Sequence, residues 1–543
     1  MMDSNDQATL NFADLLRLVA EAVPDRLAVV GGSERLTFGE LSRRSELLAA
    51  YWQRAGLVAG QTIALHSGNR PEYLIGFFAA CRLGCLPFNV NYRYLESELE
   101  FLYANAKAAA ALVEPEWLSR VTALQACPAV IVVAGDLPAE AAITPSSAVG
   151  IADALRIAES LPIVSRATSN DDQLIIYTGG TTGMPKGVVW AQGDMLMACL
   201  GGGGFFSKHG PIRVASEIIE RVHEAPHLVM FPVAPLMHGA ALWAALASLF
   251  AGHTLVLQSG RSFDPAAVFD LCERERVNLL VIVGDGMARP LADVLHANPA
   301  RWSLPALGYI GSGGAVFSAS VQQSLKEALP RLVTSSSLGS TESGTLGAGA
   351  ATVTGEGLMR FAPRPDMHVI CEGPRFAHAG EVGVLARSGH LPVGYFGDPE
   401  ATARTFVAFA ERRMSLTGDA ARLEEDGSIT VLGRGSTCIN SGGEKVFPEE
   451  VEQCLKQHEA VFDALVVGLA DERWGERVVA VVSLREPGSV DQESLREHCR
   501  RLIAGYKVPR SIVFQAELSR TNTGKPDYPW AKRVATEALA ASP

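Results

Sequence analysis

The run Tyr177-Thr178-Gly179-Gly180-Thr181-Thr182-Gly183-Met184-Pro185-Lys186-Gly187 combines what a bound phosphate needs. Gly179, Gly180 and Gly183 free the backbone to turn N–H groups inward, Thr178, Thr181 and Thr182 add hydroxyl donors, and Lys186 adds a cation. By composition this is a phosphate cradle. It is not a Walker A loop, which has Gly directly before the Lys and Ser or Thr after it; here Pro185 precedes Lys186 and Gly187 follows. A polar hairpin loop without a ligand is the plainer reading of the same residues.

Other polar residues sit where chemistry could use them. Glu342 follows Gly339-Ser340-Thr341, so its carboxylate could meet Mg²⁺ while Thr341 donates to a phosphate oxygen; Mg²⁺ favours one or two carboxylates plus phosphate oxygens. An exposed turn glutamate is the alternative. Asp419, after Thr417-Gly418, and Arg434, after Gly433, read equally as turn caps or surface charges when taken singly. Lys525 ends the loop Thr521-Asn522-Thr523-Gly524, a poor place for a core residue and an ordinary one for a solvated lysine. His238 is a lone polar ring in the apolar stretch from Phe231 to Gly239, where a satisfied core histidine is the default.

The elements that must hold these residues alternate. Up to about residue 430, short β-branched runs (27–32, 62–68, 129–135) alternate with helical patterns such as the amphipathic 72–84, which predicts parallel sheets covered by helices. Residues 136–170 read as a surface connection rich in Ala, Pro, Ser and Thr. After Gly433-Arg434 the order helix (449–458), strand (464–471), strand (476–484), helix (494–503), strand (511–515) predicts a small α+β domain. The expected fold is therefore α/β: a large N-terminal region of helix-covered β-sheets, residues 1–433, and a small C-terminal α+β domain, residues 434–543.

Composition narrows the function classes. The chain has 543 residues, 48% apolar and 20% charged, with 47 basic against 59 acidic side chains and a net charge of −12. That balance is globular rather than disordered. Its excess of acid excludes a broad electrostatic grip on nucleic acid or anionic membrane, while leaving room for local polyanion pockets. Nine cysteines without a CxxC pair or zinc spacing predict reduced thiols in a cytosol. No secretory leader is read at the start. Residues 225–260 lack Asp, Glu, Lys and Arg, but Pro232, Pro235, His238 and Gly239 interrupt them, so a strand, a turn and a buried helix are expected instead of a membrane span.

Taken in order, the motifs resemble the adenylate-forming superfamily, which contains acyl-CoA synthetases, peptide-synthetase adenylation domains and luciferases. The loop of Thr178–Lys186 resembles its phosphate loop. Gly311-Ser312-Gly313-Gly314-Ala315 is similar to its adenine-side loop, and Leu338-Gly339-Ser340-Thr341-Glu342 to its aromatic-Gly-x-Thr-Glu motif. Thr417-Gly418-Asp419, Gly433-Arg434, Ser441-Gly442-Gly443-Glu444-Lys445 and Asn522-Thr523-Gly524-Lys525 complete a series that covers nearly the whole chain.

The resemblance implies roles. ATP and CoA would be co-substrates, with Mg²⁺ on Glu342. Asp419 would take the ribose hydroxyls and Arg434 would stand near the same sugar and the phosphate. Lys525 would bridge the substrate carboxylate and the α-phosphate during adenylation, and His238 would line the acyl pocket. Thr341, Leu338, Gly339, Ser340, Gly313, Gly314 and Ala315 would surround the nucleotide, and Ser441, Gly442, Gly443 and Lys445 would border the thioester-forming tunnel.

Two departures stand out: Leu338 replaces the usual stacking aromatic, and Ser436 replaces the usual charged hinge residue. The Ser441–Lys445 spelling resembles fatty-acyl-CoA synthetases, and no carrier segment follows Lys525, so free CoA is the expected thiol. A carrier protein as acceptor and a medium-chain or aryl-CoA ligase are the competing readings. At positions that match the family's acyl pocket, the small residues Gly284, Gly286, Gly311, Gly313 and Gly339, with Met287, leave room for a bulky acid, and the segment Val283–Pro290 and the run Gly201–Gly204 resemble synthetases acting on long-chain or steroid side-chain acids. A homodimer is compatible with the sequence, and the expected place is the cytoplasm.

Overall fold

The structure is a computed structural model that describes residues 8–137, 147–178, 184–203, 209–260, 262–315, 317–348, 352–353, 358–373, 375–434, 437–441, 444–471, 475–521 and 525–540. Two compact units divide it: residues 1–282, 300–311 and 390–405 form the first, and residues 283–299, 312–389 and 406–543 the second.

Two sheets build the first unit. One runs in the order Tyr309–Gly313, Leu279–Ile282, Val229–Pro232, Thr254–Leu257, Leu27–Gly31, Glu34–Thr37. The other has eight strands in the order Gly394–Tyr395, Lys186–Ala191, Gln173–Thr178, Leu86–Asn89, Thr62–His66, Ala108–Val113, Val130–Val133, Ser147–Gly150. It is parallel from Gln173–Thr178 onward, and Lys186–Ala191 returns antiparallel.

Helices Phe12–Ala22, Phe38–Arg54, Pro71–Leu83 and Gly239–Phe250 contribute to a shared apolar core that includes Phe12, Phe77, Phe78, Trp52 and Phe250. Local chemistry sets their ends. Thr37 and Glu40 form a reciprocal capping box on the second helix, and Gly84, left-handed at φ 72°, ends the third.

Three sequence expectations change. The helix Pro71–Leu83 is not amphipathic: every residue except Arg82 is buried, as expected of a helix whose sequence is apolar nearly all round. The supposed surface connection 136–170 contains the strand Ser147–Gly150 and the helix Ile151–Ala158, whose Ile151, Ala154 and Ala158 face the core. And the strands of residues 352–389 and 406–434 form an antiparallel sheet where parallel pairing was predicted. Tight turns reverse the chain between neighbouring strands and leave no need for a crossover helix; Gly427, at φ 80°, turns Arg412–Leu423 into Ile429–Arg434.

That sheet belongs to the second unit, in the order Thr352–Val353, Met359–Phe361, Ile429–Arg434, Arg412–Leu423, Val382–Ser388, Met367–Cys371, Arg375–Phe376. The C-terminal part is α+β as expected. Val461–Asp471 and Gly475–Leu484 pair antiparallel, and Ser511–Phe514 joins parallel. Alternate residues sort to opposite faces: Ala464, Val466, Val478 and Ala480 meet helices Pro448–Lys456 and Gln492–Leu502, while Leu465, Val467, Val479 and Val481 meet Tyr528–Ala540, a helix the sequence reading did not include. In residues 225–260 the expected strand, turn and buried helix are present, and no helix among the described residues is long and apolar enough to cross a membrane.

Candidate active site

In the first unit the Gly/Thr loop spans the tip of an antiparallel pair. Strands Gln173–Thr178 and Lys186–Ala191 run in register with Thr178 opposite Lys186, so both loop ends stand on a hydrogen-bonded ladder. Gly187 keeps that ladder close, because a Cβ there would lie 2.8 Å from Ile175 Cγ2 and from the Tyr177 ring. The ammonium of exposed Lys186 stands 5.3 Å from the ring centroid of Tyr395, whose strand pairs with Lys186–Ala191. Gly179, Gly180, Thr181, Thr182 and Gly183 lie outside the described residues.

One buried asparagine joins this tip to the turn before His238, and a second braces the turn itself. Asn89 donates from Nδ2 to the Tyr177 carbonyl (2.9 Å) and the Met237 carbonyl (2.6 Å), while its Oδ1 accepts from the Tyr177 N–H (2.7 Å). Asn69 donates to the Ala234 carbonyl (3.2 Å) and accepts from the Leu236 N–H (2.7 Å). The turn thus fixed delivers His238, half-buried, to the position just before helix Gly239–Phe250. Thr178, Lys186 and His238 are therefore brought together by side chains the sequence reading did not single out.

In the second unit, strands Val333–Ser340 and Gly344–Ala348 form a hairpin that puts Thr341 and Glu342 in its tight turn. Ser340 and Ser343 close the turn with hydroxyls 3.0 Å apart. Ser415 donates to the Glu342 carbonyl at 2.7 Å, and buried Arg387 donates to the carbonyls of Ser343 (2.6 Å) and Thr345 (3.2 Å) while standing 3.3 Å from Asp366. Ser415 lies on the strand that carries Thr417, Gly418 and Asp419. Thr417 Oγ1 accepts from the Asp419 N–H (3.1 Å) and donates to the Leu385 carbonyl (3.0 Å), and Asp419 stands opposite Arg434 in the register of the next strand. The acid of one motif and the base of another thus share one rung of a ladder.

The glycine-rich positions also have packing reasons. Ser312 Oγ accepts from the Gly284 N–H at 2.8 Å, and Ser337 Oγ donates to the Ser312 carbonyl at 3.0 Å. A Cβ on Gly313 would meet Ser337 Oγ at 2.7 Å, and one on Gly339 would meet the Gly344 carbonyl at 2.4 Å. Backbone fills the space beside Gly339, so it must be glycine for close approach whatever else it lines, while a side chain on Gly313 would have to displace the Ser337 hydroxyl. Leu338 pairs with Gly347, Gly311 is buried, Met287 is half-buried, and Gly314 is exposed beside half-buried Ala315.

Asn522, Thr523 and Gly524 lie outside the described residues, but their flanks are tied together below exposed Lys525: the Thr521 N–H donates to the Lys525 carbonyl (2.8 Å), the Lys525 N–H donates to Thr521 Oγ1 (3.1 Å), and Arg520 pairs with Pro526 in an antiparallel bridge. Beneath it lies buried charge. Arg520 donates from Nε (3.1 Å) and NH2 to Asp463; Lys456 is 4.0 Å from Asp463 and 3.8 Å from Asp285, and Asp285 is 3.8 Å from Arg289. Burial pushes the Asp463 carboxyl up, but Lys456 and Arg520 outweigh it and hold it below its ordinary range. Glu452 nearby is raised to about 7, chiefly by burial against the opposing pull of Lys456. Ser441 is buried in strand Ile439–Ser441, and Asn440 pairs with Lys445 in the register of Glu444–Val446. Ser436, Gly442 and Gly443 lie outside the described residues.

Among the described residues no cluster of three or more His, Cys, Asp or Glu forms a metal cage. A divalent ion beside Glu342 would complete its shell with phosphate oxygens and water, the habit of Mg²⁺.

Comparison with known proteins places this arrangement in a class. Residues 16–385 match the family described as AMP-binding enzyme, and residues 450–525 match the AMP-binding enzyme C-terminal domain. The chain belongs to the AMP-binding enzyme family. Among its relatives are a 3-oxocholest-4-en-26-oate–CoA ligase of Rhodococcus rhodochrous, 38% identical over 96% of this chain and 95% of that one, and a medium/long-chain-fatty-acid–CoA/3-oxocholest-4-en-26-oate–CoA ligase of Mycobacterium marinum, 39% identical over 98% of each. An anthranilate CoA ligase in complex with anthranoyl-AMP shares the fold, with a TM-score of 0.80, 98% of each chain covered and 21% identity.

Proposed function

We propose that this protein is an ATP-dependent acyl-CoA synthetase acting on a long-chain or steroid side-chain carboxylate. The carboxylate attacks the α-phosphorus of ATP to give acyl-AMP and pyrophosphate; the thiol of CoA then attacks the acyl carbon and AMP leaves. The observation that carries the reading is the near full-length match to relatives named as ligases of such acids.

The geometry supports a division of labour. Backbone N–H groups, threonine hydroxyls and Lys186 of the hairpin loop would receive the β- and γ-phosphates. Gly313, Gly314, Ala315, Leu338, Gly339 and Ser340 would flank adenine. Asp419 would accept from the ribose hydroxyls, with Arg434 on the adjacent strand. Glu342, held in its turn by Ser415 and Arg387, would carry Mg²⁺, whose charge would offset that gathering on the phosphates. Lys525 would lie between the two anionic reactants, where a placed cation lowers the barrier most. His238, Gly284, Met287 and Gly311 would line the acyl pocket. The boundary near 433/434, the hinge at Ser436, the CoA-side segment Ser441–Lys445 and a cytoplasmic location belong to the same proposal. Unbridged cysteines such as Cys81, Cys199 and Cys454 support that location.

A CoA-dependent AMP-release assay tests it with 3-oxocholest-4-en-26-oate, medium- and long-chain fatty acids, benzoate, ferulate and acetate. The expected order places the steroid acid or a long fatty acid first in kcat/KM. Preference for acetate or benzoate by a wide margin would sink the bulky-acid reading, and pyrophosphate exchange without CoA-dependent turnover would move the chain to another acceptor.

A further inference from the structure

Lys525 is exposed, so its position depends on the backbone that carries it. The two strands of chain on either side of the motif are tied together at their base. Arg520 and Pro526 face each other in a β-bridge, and between them Thr521 and Lys525 exchange two hydrogen bonds, one through the Thr521 hydroxyl. The downstream side runs into Asp527, which accepts from Ser519 Oγ (3.1 Å) and from the Trp530 N–H (3.0 Å) at the start of helix Tyr528–Ala540. The upstream side is Arg520, whose guanidinium is not a surface group: its side chain is 19% exposed and that of its partner Asp463 12%.

Two donors of Arg520 converge on Oδ2 of Asp463, while Oδ1 accepts from the Ala464 N–H at 2.9 Å and lies 4.0 Å from Lys456 Nζ. Asp463 itself is fixed on strand Val461–Asp471, opposite Ser483 at a bulge. A planar guanidinium gripped through two nitrogens resists rotation as well as translation, which an ammonium would not do.

We propose that the buried Asp463–Arg520 pair is a positioning device for Lys525: it pins that base to the sheet and so sets where the lysine ammonium is delivered. The proposal rests on the reading of Lys525 as the adenylation cation. Its consequence is selective. Acyl-AMP formation depends on the placement of the ammonium, and a misplacement of about 1 Å costs roughly a hundredfold; thioester formation from acyl-AMP does not use Lys525 and keeps its rate.

The test separates the half-reactions in the full-length protein. Pyrophosphate exchange with a long-chain fatty acid reads adenylation, and CoA thioester formation from the synthetic acyl-AMP of the same acid reads the second step. Three variants are compared with wild type: Lys525→Ala, Arg520→Lys, which keeps the charge and loses the fork, and the double variant Asp463→Leu/Arg520→Met, which replaces the buried pair with apolar side chains and spares the core an unpaired charge. The expected result is a fall in exchange of about ten- to a hundredfold for both Arg520 variants, with thioester formation within about threefold of wild type and unchanged circular dichroism. Equal loss in both half-reactions would make the pair merely structural and overturn the proposal. If Lys525→Ala abolishes exchange while Arg520→Lys and the double variant leave it intact, the anchoring alone falls. If Lys525→Ala leaves exchange intact, the reading of Lys525 falls and the anchoring goes with it.

Discussion

Replacing Asn89 by alanine tests the reasoning about the first unit most directly. The side chain is 6% exposed and makes three hydrogen bonds, two to Tyr177 and one to Met237, both themselves buried. Alanine would leave one N–H donor and two carbonyls without these partners, at about 1–1.5 kcal/mol each and more where water cannot enter. The expected loss is therefore about 3–5 kcal/mol.

Urea unfolding followed by tryptophan fluorescence would measure it, since Trp52, Trp117, Trp190, Trp243 and Trp302 all lie in the first unit. Pyrophosphate exchange should fall with it, because the same bonds hold the strand end at Tyr177 beside the His238 turn. Asn89→Asp supplies a signed control. It keeps an acceptor for the Tyr177 N–H but turns a buried carboxylate toward two carbonyl oxygens, which raises its folded pKa above the unfolded one. Its stability contribution is then present at low pH and lost as pH rises, so the variant should lie nearer wild type at pH ~5 than at pH ~8. A loss for Asn89→Ala below about 1 kcal/mol with normal exchange would refute the clamp.

The other expectations concern the second unit. Glu452, raised to about 7 in the folded protein, stabilises fully below its ordinary value of 4.5 and loses that contribution as pH climbs through 7; Glu452→Gln should gain on wild type by up to about 3 kcal/mol between pH ~5 and ~8, and parallel pH–stability profiles would refute the assignment. Gly433→Ala would force a side chain into φ 128° with its Cβ 2.2 Å from Glu449 Oε2. It should cost about 1–3 kcal/mol in a thermal melt, and Glu449→Ala should recover the clash but not the strain. Arg387→Met removes both bonds to the Glu342 turn, while Asp366 keeps its bond from Arg364 at 2.7 Å. Exchange should drop about tenfold, and an unchanged rate would separate the turn from the chemistry.

What the sequence made legible has a physical pattern. Gly187, Gly313 and Gly339 could be read because they stand in glycine-rich motifs, although the close approaches beside Gly187 and Gly339 arise from neighbouring strands; Gly427 belongs to no motif and its turn was not read. Asp419 and Arg434 were legible as two motifs that the family resemblance gathers at one sugar, but not as facing residues of a ladder, since antiparallel register is a long-range outcome. Asn69, Asn89, Arg387 and Ser415 could not be found at all: each bonds main-chain groups between 42 and 167 positions away, and no local pattern announces that. Residues 147–158 were missed for the opposite reason, because a run of alanine and serine hides a short amphipathic helix among loop-like composition.

The buried charges near the C-terminus sort into pairs that are each neutral. Asp285 and Arg289 share helix Gly284–Ala297, Glu452 and Lys456 share helix Pro448–Lys456, and Asp463 and Arg520 pair with each other. Parting the first of these pairs from the other two, with Glu452 ionised, breaks the 3.8 Å contact of Lys456 with Asp285 but leaves neither side of the cluster with net charge. No counter-ion would have to be gathered or shed, so a swing of the C-terminal region should run at nearly the same rate in dilute and concentrated salt.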